Sequence, residues 1–260
     1  MQKLISIDIK ADFGLLKKPD TNEPVYLTFN MIHKPALLGV FGAVIGLEGF
    51  KKHGELPEYY EILKDLKVGI QPLNHENGNY QKTVITYNNT TGMASDEQGG
   101  NLMVSEQTLI APSFRIFVLI DNNNEYHQKL FEYLKENKAE YLPYLGKNDF
   151  SLWWDNNDFK EYDFKEYDPD KEFQISSLFI KEESVKEGRR KPRFIPGMKV
   201  SSEKQYAYFE RLPIGYEDAP LFQYKYEDFS FTNWQLQQEY VLPSSFPLLK
   251  INNDEIIQIF

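Results

Sequence analysis

The sequence predicts an α+β fold: a βαββαβ ferredoxin-like unit with an inserted β-hairpin, followed by a small β-rich C-terminal region. Three observations lead there. Ile5, Ile7 and Ile9 alternate with Ser6, Asp8 and Lys10, the period of a half-buried strand. The run at residues 36–47 is apolar on nearly every side and suits a buried helix. Residues 113–120 repeat the strand signal, with Phe114, Ile116, Val118 and Ile120 on one face and Arg115, Phe117 and Leu119 on the other, and an amphipathic helix follows.

After the first strand comes a polar turn with Phe13, Gly14, Lys17, Lys18 and Pro19, then a short extended piece at residues 25–29. Pro35 suits a first helical position. Gly39, Gly42, Ala43 and Gly46 fall three and four apart, a face bare enough for a sheet or a nucleic acid to approach. Two readings of this helix are open. His33, Lys34 and the free amides at its start form an anion site, or the helix is tightly packed core with two solvated basic residues at its mouth. Lys51, Lys52, His53 and Gly54 read as the helix exit. Pro57 starts a shorter helix through Tyr60, Leu63 and Leu66, and residues 68–73 read as a strand.

Residues 75–105 read as a protruding hairpin, with arms near 82–87 and 101–105 around a polar, glycine-containing tip. Met93 is the large apolar residue of that tip, either a wedge between bases or a side chain folded onto its own loop. Residues 125–137 form the amphipathic helix, with Tyr126, Leu130, Tyr133 and Leu134 inward, and another strand begins near Phe150 and includes Trp153 and Trp154. This order is that of the βαββαβ unit, which also underlies RNA-recognition modules that stack bases on exposed sheet aromatics. A tandem repeat of Phe-Lys-Glu-Tyr-Asp at residues 159–168 reads as a duplicated acidic loop, either solvated or a partner contact. Residues 173–180 resume strand character. The tail from residue 206, with Pro213, Pro220, Pro243 and Pro247, suggests short strands and loops.

The formal net charge of −10 argues against a free-standing nucleic-acid binder, yet its distribution is uneven. Residues 155–172 hold eight acids against three lysines, whereas residues 186–199 hold six basic residues, Arg189, Arg190 and Arg193 among them, against Glu187. The absence of cysteine removes disulfides, thiolate nucleophiles and cysteine-based zinc sites. There is no signal-peptide pattern, and the run at residues 35–47 is too short and glycine-rich for a membrane span, so a cytoplasmic protein is expected. Phosphate-binding loops, dinucleotide fingerprints, nucleophile elbows and paired-histidine metal helices are missing. The four histidines are scattered. His33 beside Lys34 is the one pair with the chemistry for metal-independent RNA cleavage, an imidazole to move a 2′-hydroxyl proton and an ammonium to steady phosphorane charge.

Residues 5–49, with Lys17-Lys18-Pro19, Thr28-Phe29 and the glycine-stippled helix from Pro35, resemble the N-terminus of the CRISPR-associated "Cas-five" family of the RAMP superfamily. Residues 106–118 are similar to the strand returning from that family's thumb, and Leu142-Pro143-Tyr144-Leu145-Gly146-Lys147-Asn148 resembles its proline-tyrosine-leucine-glycine-lysine loop. Residues 208–215 resemble the type I-B branch. The resemblance implies a RAMP domain at residues 1–155 with a thumb at about 75–108, an acidic loop and β-rich region at 156–260, and antiviral defence as a subunit of the Cascade complex. It implies that the protein caps the 5′ handle of the CRISPR RNA (crRNA). Implied partners are the crRNA, the backbone subunit, the large subunit, and target DNA near the protospacer-adjacent motif, with no membrane and no cofactor. Lys17, Lys18, His33, Lys34, Gly39 and Gly42 become the handle cradle, Met93 part of the thumb and Lys147 a phosphate contact. Arg115, Arg189, Arg190 and Arg193 join the candidate RNA contacts. In the type I-C branch the protein itself cuts RNA, but the Lys-His pair expected there has no counterpart near Arg115, so no catalysis is expected. The alternatives are a metal-independent CRISPR repeat endoribonuclease of the same superfamily and an acidic protein-interaction module that binds no RNA.

Overall fold

Alternating β-branched residues make the first strand, and both of its faces find cover. The computed structural model of the chain describes residues 2–19, 24–52, 54–89, 102–181, 194–195, 205–217, 222–238, 240, 242–251 and 254–260. β1 (Gln2–Ala11) and β2 (Phe13–Gly14) lead into an extended pair in which Lys18 N donates to Leu27 O at 2.8 Å and Phe29 N to Leu16 O at 2.7 Å. α1 (Lys34–Ile45) starts at His33, whose ring Nδ1 accepts from Ala36 N at 3.3 Å, with Pro35 in the first turn. It ends at Gly46 in the left-handed conformation, φ 82°, several residues before the exit expected at Lys51 to Gly54. His53 lies outside the described residues.

α2 (Glu58–Leu63), β3 (Lys67–Leu73), β4 (Lys82–Asn89), β5 (Leu102–Ile110), β6 (Ser113–Asp121), α3 (Glu125–Lys135) and β7 (Leu152–Trp153) follow. Asn124 caps α3, its side-chain oxygen accepting from Tyr126 N and His127 N. The central antiparallel sheet has the order β3-β6-β1-β7, with α1 and α2 between β1 and β3 in the chain and α3 between β6 and β7. β4 and β5 leave this sheet as a hairpin between β3 and β6, and β2 pairs with the root of β5.

The tandem repeat forms edge strands rather than a solvated loop. β8 (Lys160–Tyr162) pairs with β1, and β9 (Phe164–Glu166) joins a different sheet. The repeat's aromatic residues explain the difference. Tyr162 lies within 3.0 Å of Ser6 Oγ, and Phe159 and Tyr167 meet Phe131 and Phe173 with ring centroids 5.5 and 5.9 Å apart, while the lysines and glutamates stay exposed. Beyond lie β10 (Phe179–Ile180), β11 (Phe194–Ile195), β12 (Ala207–Tyr216), β13 (Tyr224–Thr232), β14 (Gln235–Leu236), β15 (Leu248–Ile251) and β16 (Ile256–Gln258). The tail is therefore not all short strands: β12 and β13 form a long hairpin. Pro213 is tolerated inside β12 because the register shifts between Pro213 and Gly215.

Ile5, Ile7 and Ile9 pack with Phe114, Ile116, Val118 and Ile120, with Leu37, Leu38, Phe41 and Val44 of α1, and with Leu130 and Leu134 of α3. Leu178, Leu212, Phe229, Phe231 and Phe260 belong to the same cluster, so the C-terminal strands share one core with the N-terminal unit. The opposite sheet face, expected half-exposed, is covered as well. Leu4, Phe117 and Leu119 pack against Leu249, Ile251, Ile257 and Ile259, which leaves no open aromatic platform of the RNA-recognition kind there.

Two polar residues on that face are buried in pairs. Ser6 meets Tyr162, and the Asp8 carboxylate takes a bidentate guanidinium from Arg115 at 2.7 and 2.8 Å. Asp8 and Arg115 side chains are 10% and 23% exposed, so removing one partner strands the other in poor solvent. Arg115→Ala is expected to cost about 2 kcal/mol in urea denaturation, below the ~3–5 kcal/mol of fully buried pairs. The double variant with Asp8→Ala should recover part of that loss.

Candidate nucleic-acid interface

A cleft of about 760 Å3 opens where the small residues of α1 leave its surface bare. Ala36, Gly39, Val40 and Ala43 form one wall, Leu15 to Lys17 another, and Tyr59, Tyr141, Tyr144 and Tyr224 bring aromatic rings from α2, the α3–β7 loop and β13. The glycine face is divided between two uses. A Cβ on Gly42 would collide with the Tyr59 side chain, whose Cγ would lie only 3.0 Å away, whereas at Gly39 the nearest Tyr59 atom stands at 3.6 Å. Close helix packing is thus needed at Gly42, and Gly39 faces the cleft.

The lining is almost uncharged. His33 is buried among Phe29 and Tyr224, ring centroids 5.3 and 5.5 Å away, and burial holds its pKa down to about 3. Burial likewise pushes the Tyr59 phenol up to about 12 and raises Tyr224 and Tyr216, which stack 5.1 Å apart. Charge is confined to the rim, where Lys51 pairs with Glu48 and Lys17 places its ammonium 3.5 Å from the centre of the Tyr26 ring. Phe50, Tyr141, Leu142 and Tyr144 stand out as exposed large apolar side chains, Leu142 at 71% and Phe50 at 63%.

Of the residues singled out from the sequence, Lys17, His33 and Gly39 line this cleft and Gly42 lies behind Tyr59. Lys18 turns toward Glu210, 3.4 Å from its carboxylate. Lys34 turns away from His33: its buried ammonium lies 3.3 Å from Phe260 O, and desolvation lowers its pKa to about 8. Arg115 lies on the other side of the sheet with Asp8. Lys147 sits against the middle of the hairpin arms, 3.0 Å from Glu106, 3.4 Å from Asp149 and beside the Tyr87 ring. Met93, Arg189, Arg190 and Arg193 lie outside the described residues. Tyr59, Tyr141, Tyr224 and Phe50 carry no sequence signal of a site by themselves, and Tyr144 and Glu210 fall within the segments at 142–148 and 208–215 without a role of their own. A loop with two tyrosines and a leucine beside a lysine was the available signal.

The hairpin stands next to this surface. Its arms pair from Lys82↔Leu109 to Asn89↔Leu102, the backbone of Tyr26 bonds Ser105 and Gln107 at its flank, and Val84 and Met103 are exposed. Among the described residues no helix is long and apolar enough to cross a membrane.

No family model matches the sequence, and no curated protein does. Among solved structures, a CRISPR protein from Archaeoglobus fulgidus aligns over 100% of this chain and 98% of its own, at 15% identity and a TM-score of 0.51. This chain therefore shares its fold, along its whole length, with a CRISPR protein. A chain of a CRISPR RNA-guided surveillance complex aligns over 92% of this chain and 93% of its own, at 11% identity and a TM-score of 0.46. A chain of the type III-B Cmr-beta complex, bound to cognate target RNA and AMPPnP, aligns over 92% and 86%, at 10% identity and a TM-score of 0.36.

Proposed function

We propose that this chain is a non-catalytic RNA-binding subunit of a type I CRISPR surveillance complex, with a ferredoxin-like core and a thumb hairpin, that caps the 5′ handle of the crRNA. The whole-length likeness to a CRISPR protein carries the reading. The cleft supports it. Neutral aromatic rings with a lysine at the rim suit unpaired bases, which stack on any π-face while the backbone meets cations. In this reading the crRNA handle lies over Lys17 and the cleft, the β4–β5 thumb divides handle from spacer, and the backbone and large subunits and target DNA near the protospacer-adjacent motif meet the same end. A type I-B complex is the form we favour.

The non-catalytic part of the proposal rests on His33 and Lys34. His33 is a buried neutral helix cap and Lys34 points to Phe260, so the two do not converge on a scissile phosphate. Incubation with repeat RNA in EDTA is expected to leave the RNA intact, and cleavage would return the endoribonuclease alternative.

The deciding experiment is co-expression with the neighbouring subunits and a CRISPR array, purification through a tag on this chain, and sequencing of the bound RNA. Uniform RNAs with a common 5′ handle are expected. Changing Tyr141 and Tyr144 together to Ala should weaken capture at least about thirtyfold, since each base–aromatic stack is worth roughly 1–3 kcal/mol. Recovery of partner subunits without RNA would leave the protein-interaction module as the reading.

A further inference from the structure

Between Phe29 and His33 the chain presents two consecutive amides to a single carboxylate. Glu210 accepts from Asn30 N through both oxygens, at 3.1 and 3.2 Å, and from Met31 N at 3.2 Å. Lys18 Nζ lies 3.4 Å from the same carboxylate, and the Tyr208 hydroxyl feels its charge. Lys82 stands one step further out, attracted by Glu210 without pairing with it and bonded to Asn30 Oδ1 at 2.7 Å. One ammonium group and two amides thus hold one acidic side chain that is 8% exposed, with the Tyr208 hydroxyl and the Lys82 ammonium in its electrostatic reach. These are the donors that would hold the non-bridging oxygens of a phosphate.

Position gives the arrangement its meaning. Lys18 follows Lys17 at the cleft rim, Asn30 and Met31 lead to the His33 cap, and Lys82 opens the hairpin arm β4. The carboxylate therefore sits between the aromatic cleft and the hairpin root. Its backbone is tied into β12 opposite Phe229, so only the side chain has to turn for the carboxylate to leave these donors.

We propose that these donors form a phosphate-oxyanion site which Glu210 fills in the free protein as an internal stand-in, to be displaced by a phosphate of bound RNA. The choice of RNA as the source of the phosphate rests on the function proposed above. The site itself rests on the contacts of Glu210. Negative charge held in the site by the chain lowers affinity for loose RNA and reserves the donors for a ligand anchored elsewhere on the same surface.

Two variants test this in the full chain. Glu210→Ala vacates the donors, and Glu210→Gln keeps the side chain but removes its charge. Anisotropy with a labelled single-stranded RNA across a salt series should show both binding about tenfold tighter than wild type at low salt, with the salt slope steeper by about one phosphate contact. Adding Lys18→Ala to Glu210→Ala should return the affinity to the wild-type value. Inorganic phosphate alone should raise the melting temperature of Glu210→Ala more than that of wild type.

RNA binding by wild type with no gain in either variant overturns the inference and leaves the RNA-binding reading in place. Stabilisation of Glu210→Ala by phosphate, with no RNA binding by any form, supports the site and removes RNA as its ligand. Absence of any response to phosphate or RNA overturns it. Glu210→Gln carries the same comparison where Glu210→Ala does not fold.

Discussion

Gly146→Ala is expected to lower the melting temperature by roughly 6–12 °C, at 2–4 °C per kcal/mol for a chain of this size. Two costs combine there. Gly146 has φ +91°, where an L residue loses about 1–2 kcal/mol. Its Cβ would also fall inside the Leu15 carbonyl group, and backbone cannot swing aside as a flexible side chain does. Overpacking of this kind adds about 1–3 kcal/mol, for a total of about 3 kcal/mol. Gly54→Ala is the control, because Gly54 has φ +82° but open space around it, so only the conformational part should appear. Equal melting temperatures for the two variants would mean that the 141–146 loop does not press on Leu15. The same loop carries Tyr141 and Tyr144 to the cleft, so RNA capture by Gly146→Ala should fall further than its loss of stability explains.

Acid should destabilise the protein through His33, by about 3 kcal/mol between pH 7 and pH 4.5. The folded-state pKa of about 3 lies below the ordinary 6.5 because burial among Phe29 and Tyr224 penalises the imidazolium. Between those two values the unfolded chain holds a proton that the folded chain refuses. Stability is therefore fully present above pH 6.5 and declines by about 1.4 kcal/mol for each unit below it, until the folded pKa is reached. His75 and His127 are also depressed by burial and add in the same direction. Asn is a good helix cap without a proton to gain, so His33→Asn should flatten this acid limb in urea titrations at several pH values. Parallel limbs for wild type and variant would show that His33 is not the group responsible.

The elements that could be read from the sequence are those whose periodicity is paid back by local burial. β1, α1, β3, β6 and α3 lie within a few residues of their expected positions, because isoleucine alternation and the apolar run at residues 36–47 report directly on the central core. What escaped depended on partners far along the chain. Ser6 and Asp8 look solvent-facing in an alternating strand, and only Tyr162 and Arg115 reveal that they are buried. The repeat at 159–168 looks acidic and solvated until its rings are seen against Phe131 and Phe173. For the site the limit was the same. Lysines 17, 18 and 34 are near neighbours in sequence, yet one faces the cleft, one Glu210 and one Phe260. Neighbouring cations are sorted by what tertiary structure sets beside them, and composition does not carry that information.

Ile257 and Ile259 cover Leu4, Phe117 and Leu119, and Phe260 exchanges backbone hydrogen bonds with Val68 at 3.1 and 2.9 Å. In a growing polypeptide this places the closing of the sheet very late. Roughly 250 residues separate Leu4 from its cover, so at about 5–20 residues per second the ribosome leaves that face greasy and open for roughly 12–50 s. Such a nascent chain is a natural client for chaperones, and its yield in the cell should depend on them more than its final stability suggests.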